Sequence, residues 1–191
     1  MVTVKLDSTS FFRSVQRPLT AAFAVLLCAV ALSFSGKVAA QEQAWERLLP
    51  KASEVGSGQF RWWGFLVYDA TLWSPQGDYQ PGEPFALSLT YARELDGKGI
   101  VDASLDQMRD LGLPVDQNPQ WAKALGQVLV SVNSGDTLTG VYTPGEGAIF
   151  YHNERRTGEI DDRLAKAFFA IWLDPKTSAP RLRQALLGQA Q

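Results

Sequence analysis

The stretch RWWGFLVYDATLW, Arg61–Trp73, holds three of the chain's six tryptophans and a single carboxylate, Asp69. From Phe60 to Trp73 both alternating sets are apolar or aromatic: Phe60, Trp62, Leu66, Tyr68 and Leu72 on one, Trp63, Phe65, Val67 and Trp73 on the other. Strands buried on both faces have this composition, so the stretch predicts one core strand. Asp69 in such a strand would lose several kcal/mol of solvation unless it is paired or stands at a wet strand end. Arg61 and Arg93 are the nearest candidate partners. If that pair sits in a dry site, Asp69→Ala should cost roughly 3 kcal/mol or more. Tyr68 and Tyr91 each combine an apolar body with a hydroxyl that seeks a partner, which suits a core or a pocket for an amphipathic ligand.

Upstream, Gly56-Ser57-Gly58 reads as punctuation before the strand. It is not a dinucleotide loop, because the third glycine position holds Arg61 and the segment leads into a strand, not a helix. Downstream, Pro75 and Gly77 break the chain, and Pro81-Gly82-Glu83-Pro84 marks a turn. Phe85–Arg93 alternates with one large-residue face, which predicts a second strand beside the first. After Asp96-Gly97-Lys98-Gly99, the spacing of Val101, Leu105, Met108 and Leu111 predicts a helix ending near Gly112. Asn118-Pro119 opens a second helix with Trp121, Leu125, Val128 and Leu129 on its buried face. Thr137–Thr143 and Ala148–Asn153 form a hairpin around Pro144–Gly147. A third helix carries Ile160, Leu164, Ala167, Phe168, Ile171 and Trp172 on its apolar stripe, with Asp161 and Asp162 at its positive end. Pro180–Leu187 gives a short last helix. Strands and helices in blocks argue for an α+β domain with an antiparallel sheet.

At the N-terminus, Arg13 and Arg17 precede an apolar run from Leu19 to Phe34, and Val38-Ala39-Ala40 supplies small residues for a peptidase. This is the pattern of a secretory signal, residues 1–40, cut after Ala40. The run of 16 residues is short of the roughly 20 needed to span a bilayer, so no stable membrane anchor is expected after cleavage. A periplasmic location follows, with residues 41–191 as a single domain. The only cysteine, Cys28, lies inside the leader, so thiol chemistry and disulfides are not expected in the exported part. Of the chain's 18 basic and 20 acidic residues, 14 and 19 lie beyond Ala40. With that acidic balance and no basic run, nucleic-acid binding is not expected.

Catalytic signatures are sparse. The one histidine, His152, disfavours the zinc and serine hydrolases, and no G-x-S-x-G elbow occurs. His152 reads as an ordinary strand-end residue, and the helix dipole accounts for Glu159, Asp161 and Asp162. Neither a cofactor nor a metal is expected.

Four segments carry a resemblance: GSGQFRWWGFLVYDATLW, FALSLTYARELDGKGIV, GDTLTGVYTPGEGAIFYHN and LAKAFFAIWLDPKTSAPRLRQALLG. In this order they resemble the bacterial, exported branch of the chalcone-isomerase-like proteins, from about Glu54 to Gly188. The strongest marks are V-Y-D-A-x-L-W at Val67–Trp73 and A-F-F-x-I-W-L-D-P at Ala167–Pro175. The resemblance implies an open-faced antiparallel sheet with helices packed on one side and a cleft between them. In the plant enzymes that cleft closes a chalcone to a flavanone, helped by an arginine, hydroxyl residues and an asparagine, whereas fatty-acid-binding relatives use an arginine and a tyrosine to hold a carboxylate. The enzyme pattern G-x-G-x-R is G-S-G-Q-F-R here, so alternation turns Arg61 toward the other face. Tyr68 stands at the position of the enzymes' threonine and Ser104 near that of their asparagine. The tyrosine before that helix has no counterpart in Asp96–Gly99.

The reading is a non-catalytic periplasmic protein whose cleft binds a small apolar or amphipathic molecule, such as a fatty acid or an aromatic acid. Arg61, Tyr68, Asp69, Tyr91 and Arg93 are the candidate polar residues of the ligand site, and Trp63 and Trp73 its apolar wall. One alternative is an intramolecular lyase or isomerase acting on an unsaturated carbonyl compound, with Tyr68 as general acid and Arg61 or Arg93 stabilising an enolate. The other is an interaction subunit of an envelope assembly. The sequence leaves the oligomeric state open.

Overall fold

The computed structural model describes residues 43–189. The leader, its cut after Ala40, and Cys28 lie outside the described residues. Six strands form one antiparallel sheet in the order of the chain: β1 (Ser53–Trp62), β2 (Phe65–Ser74), β3 (Phe85–Tyr91), β4 (Thr137–Thr143), β5 (Gly147–His152) and β6 (Arg155–Ile160). Four helices complete the fold: α1 (Gly97–Asp110), α2 (Gln120–Val128), α3 (Asp162–Leu173) and α4 (Pro180–Leu186). They pack against one face of the sheet and bury one apolar core. The fold is the α+β arrangement that the blocks of strands and helices predict, an open-faced sheet with its helices on one side.

The Arg61–Trp73 stretch departs from the reading of a single strand. The chain reverses at Trp63-Gly64, so that Trp62 pairs with Phe65 and the stretch becomes the tip and one arm of a β1–β2 hairpin. Both turn residues have positive φ, 51° at Trp63 and 82° at Gly64, as a type I′ turn requires. The composition hid this turn because a tryptophan occupies a place that asparagine, aspartate or glycine usually fills. Near the tip, Phe60 pairs with Tyr68 and Arg61 with Leu66, which leaves Val67 unpaired as a bulge. The extra residue reverses the alternation beyond it, so Phe65 comes to share a face with Trp62 and Tyr68.

Gly56 and Gly58 lie inside β1, not before it. Helix α4 crosses them so closely that a Cβ at Gly56 would stand 2.1 Å from the Ala185 carbonyl oxygen, and one at Gly58 would stand 2.8 Å from the Ala185 Cβ. The two glycines are the seat of that helix. Strand β6 was absent from the sequence reading because Arg155–Glu159 shows no apolar alternation; it is an edge strand with mostly polar, exposed side chains, a composition that discourages further pairing. Beneath the rest, α3 places Leu164, Phe168 and Phe169 against the sheet. Asp161 caps this helix by accepting a hydrogen bond from the Leu164 amide at 3.0 Å, and Asp96 caps α1 through the Gly99 amide at 3.2 Å.

Among the described residues, the other face of the sheet is covered at one place. A short 3-10 turn, Ala44–Arg47, brings Trp45 and, just beyond it, Leu49 onto Ala86, Val141 and Tyr151. Trp73 packs there too, with its ring 5.8 Å from that of Trp45.

Candidate functional site

A cleft of about 570 Å³ opens between the helix-covered face of the sheet and helices α1 and α3, within the range of small-molecule sites. Its floor is apolar, from Leu87 and Leu89 of β3, Leu138 and Gly140 of β4, and Phe150 of β5. Gly140 leaves room for aromatic rings, since a Cβ there would stand 2.8 Å from the tip of Phe169. Ile100 and Ala103 of α1 with Phe168 and Trp172 of α3 form the roof, and Phe60 and Trp62 close the side toward the hairpin.

Polar groups are few inside. Tyr68 and Tyr91 are cross-strand partners whose rings meet edge to face at 5.7 Å, and Phe60 stacks on Tyr68 at 5.1 Å. The Trp172 indole Nε1 donates a hydrogen bond to the Tyr68 hydroxyl oxygen at 3.0 Å. That oxygen is therefore oriented by α3 while its own proton stays available for a ligand. Burial raises the Tyr68 phenol well above its ordinary range, opposed only in part by the Trp172 hydrogen bond. Burial also raises Tyr91, with the neighbouring Tyr68 adding to it. Both are therefore neutral hydrogen-bond donors at physiological pH, and neither supplies a phenolate base.

At the mouth stands Arg93, two residues beyond Tyr91 and, among the described residues, the one basic side chain that lines the cleft. The mouth carboxylates are engaged elsewhere: Asp96 caps α1, and Asp106 accepts from Arg109 Nη1 at 2.7 Å. Among the described residues, no carboxylate pairs with Arg93. Its exposed guanidinium is thus free to meet an anionic or strongly polar group at the end of an apolar chamber.

The structure brings together Tyr68, Tyr91 and Arg93 and leaves four of the sequence-selected residues outside. Asp69 is exposed on the opposite face of β2, where it accepts a hydrogen bond from Gln59 Nε2 at 2.9 Å. The buried Asp69–arginine pair is therefore not formed; a single amide at a wet position serves the carboxylate instead. Arg61 lies on that same outer side, donating to Gln59 Oε1 at 2.9 Å and to the Gly64 carbonyl at 3.2 Å. Trp63 is at the hairpin tip, and Trp73 is in the small cluster around Trp45. The sequence reading did not select Trp62, Phe60 and Trp172. Trp172 was legible as part of the A-F-F-x-I-W-L-D-P helix stripe, but nothing in the sequence tied its indole to Tyr68, 104 residues away.

His152 lies away from the cleft, with Nε2 3.2 Å from Asp136 Oδ2. Among the described residues, no group of three or more histidine, cysteine, aspartate or glutamate side chains is placed to hold a metal ion.

Residues 61–188 match a protein family described as chalcone isomerase-like. An uncharacterized protein of Haemophilus influenzae is 26% identical over 138 residues, covering 72% of this chain and 68% of its own length. Among solved structures, an Arabidopsis thaliana fatty-acid binding protein superposes with a TM-score of 0.59 at 11% identity, over 72% of this chain and 87% of that one.

Proposed function

Because the chain belongs to the chalcone isomerase-like family, we propose that it is a non-catalytic binding protein of the periplasm whose cleft takes a small amphipathic acid, a fatty acid or an aromatic acid. The observation that carries the reading is the pairing of an apolar chamber of about 570 Å³ with one unpaired guanidinium, Arg93, at its mouth. An apolar body is desolvated between the sheet and α1 and α3. Its acidic end meets Arg93, and the neutral hydroxyls of Tyr68 and Tyr91 supply donors on the way in. The fatty-acid binding protein of the same fold supports the ligand class, and the leader-like residues 1–40 support the location.

Native mass spectrometry with solvent extraction tests it, on protein recovered from the periplasm of its own cells. A discrete acidic ligand is expected, with affinity weakened about tenfold or more in Arg93→Ala, the value of one charge-assisted contact. A protein recovered empty, and unmoved in thermal stability by fatty or aromatic acids, overturns the reading. Steady turnover of a chalcone or related enone, lost in Tyr68→Phe, would replace it with an isomerase.

A further inference from the structure

The tip of the β1–β2 hairpin exposes three large aromatic side chains: Trp62 is 61%, Trp63 85% and Phe65 68% accessible. Core packing does not account for them. Trp63 also adopts a φ of 51°, in the left-handed region that a bulky side chain enters at a cost and that glycine or asparagine enters freely. A tryptophan in this strained position, with most of its side chain presented to solvent, points to a use for its side chain rather than for its backbone. Gln59, Arg61 and Asp69, all exposed and hydrogen-bonded to one another, bound the patch on the outer side. On the inner side the patch runs without a break into the cleft, because Trp62 belongs to both.

We propose that this hairpin tip docks the protein on a lipid bilayer, with Trp62, Trp63 and Phe65 seated at the headgroup level and the mouth of the cleft facing the membrane. Tryptophan and phenylalanine on a narrow protrusion fit that boundary, where an amphipathic ring satisfies both sides. The size of the patch fits it too. Three rings at these exposures present roughly 300–500 Å², well short of the ~800 Å² per partner of a stable protein interface, whereas shallow insertion needs only a few such side chains. Charge is not the driving force. The residues beyond Ala40 carry 14 basic against 19 acidic groups, so the attraction is apolar, and the contact is peripheral and reversible. The docking stands on the tip alone. Only its purpose, passing an apolar molecule between bilayer and cleft without a path through water, rests on the proposed binding function.

Vesicle flotation of the protein recovered from its own cells tests the docking, with phosphatidylcholine vesicles and with mixed phosphatidylethanolamine and phosphatidylglycerol vesicles. Flotation is expected on both, undiminished by high salt, with a blue shift of tryptophan emission. Trp63→Asn combined with Phe65→Ser should reduce partitioning about tenfold or more. Trp63→Asn suits the left-handed turn, so thermal stability should hold or rise in that single variant, which separates lost docking from lost folding. The double variant should still carry whatever ligand the wild type carries, since neither residue lines the cleft. Failure of the wild type to float, or equal flotation of the double variant, overturns the proposal. Binding only to the anionic vesicles with loss at high salt overturns it as well, as does concentration-dependent self-association through the tip without vesicle binding.

Discussion

Tyr68 and Asp69 are adjacent in β2 and face opposite sides of the sheet, one into the cleft and one into water. Because Asp69 holds only the exposed hydrogen bond from Gln59, Asp69→Ala should cost no more than about 0.5–1 kcal/mol in urea unfolding. A loss near the ~3 kcal/mol typical of a broken buried pair would contradict the solvated position. The chemical kind of these residues was legible in the sequence, but the side each one faces was not. Facing depends on the turn at Trp63-Gly64 and the bulge at Val67, which one-strand alternation cannot reveal. Asp136 gives the residue-scale prediction for pH. The Asn133 amide donates to its carboxylate at 2.7 Å and the Asn153 side chain at 3.0 Å, with His152 close by, and these hold it well below its ordinary value of 3.8. A depressed carboxylate stabilises the fold fully above its unfolded value and loses that contribution as the pH falls toward the folded one. Asp136→Asn should therefore be less stable than wild type at neutral pH, and the difference should shrink below about pH 4 in thermal melts.

Among the elements, those announced by side-chain periodicity were readable: β3, β4, β5 and all four helices fall within a few residues of the sequence reading. The two that were not, β1 and β6, are set by what packs on them or beside them. β1 contains two glycines because α4 crosses it in near backbone contact, and β6 is a polar edge joined to α2 through Thr157, whose hydroxyl donates to the Val128 carbonyl at 2.8 Å. Strand propensity is weak evidence in both cases, since glycine and arginine acquire their role from tertiary contact. The seat of α4 makes a sharp prediction. A methyl group at Gly56 would meet the main chain of Ala185 and Leu186, not a yielding side chain. Gly56→Ala should displace α4 and destabilise the protein by about 2–4 kcal/mol. Hydrogen exchange should show protection lost first in 180–186, and an α4 equally protected in the variant would show that the close contact is not limiting.

At the scale of the whole molecule, the sheet is a plain meander in which every strand pairs with its neighbours in sequence, and the helices are inserted between β3 and β4 or follow β6. The cleft exists because α1, inserted between β3 and β4, and α3, which follows β6, arch over the same strands without filling the space between them. Its general position was readable from the family resemblance. Its closure by Trp172 and its continuity with the aromatic tip were not, because both join residues distant in the chain. One further property follows from the contact of α4 with β1. The β1–β2 hairpin and the β4–β5–β6 meander close short loops, whereas β3 reaches β4 only across α1 and α2, and the glycine track of the first strand is covered only by the last helix of the described fold. The contact therefore closes a ring, joining the first strand of the described fold to its last helix. The seven-residue α4 works as the clasp of that ring.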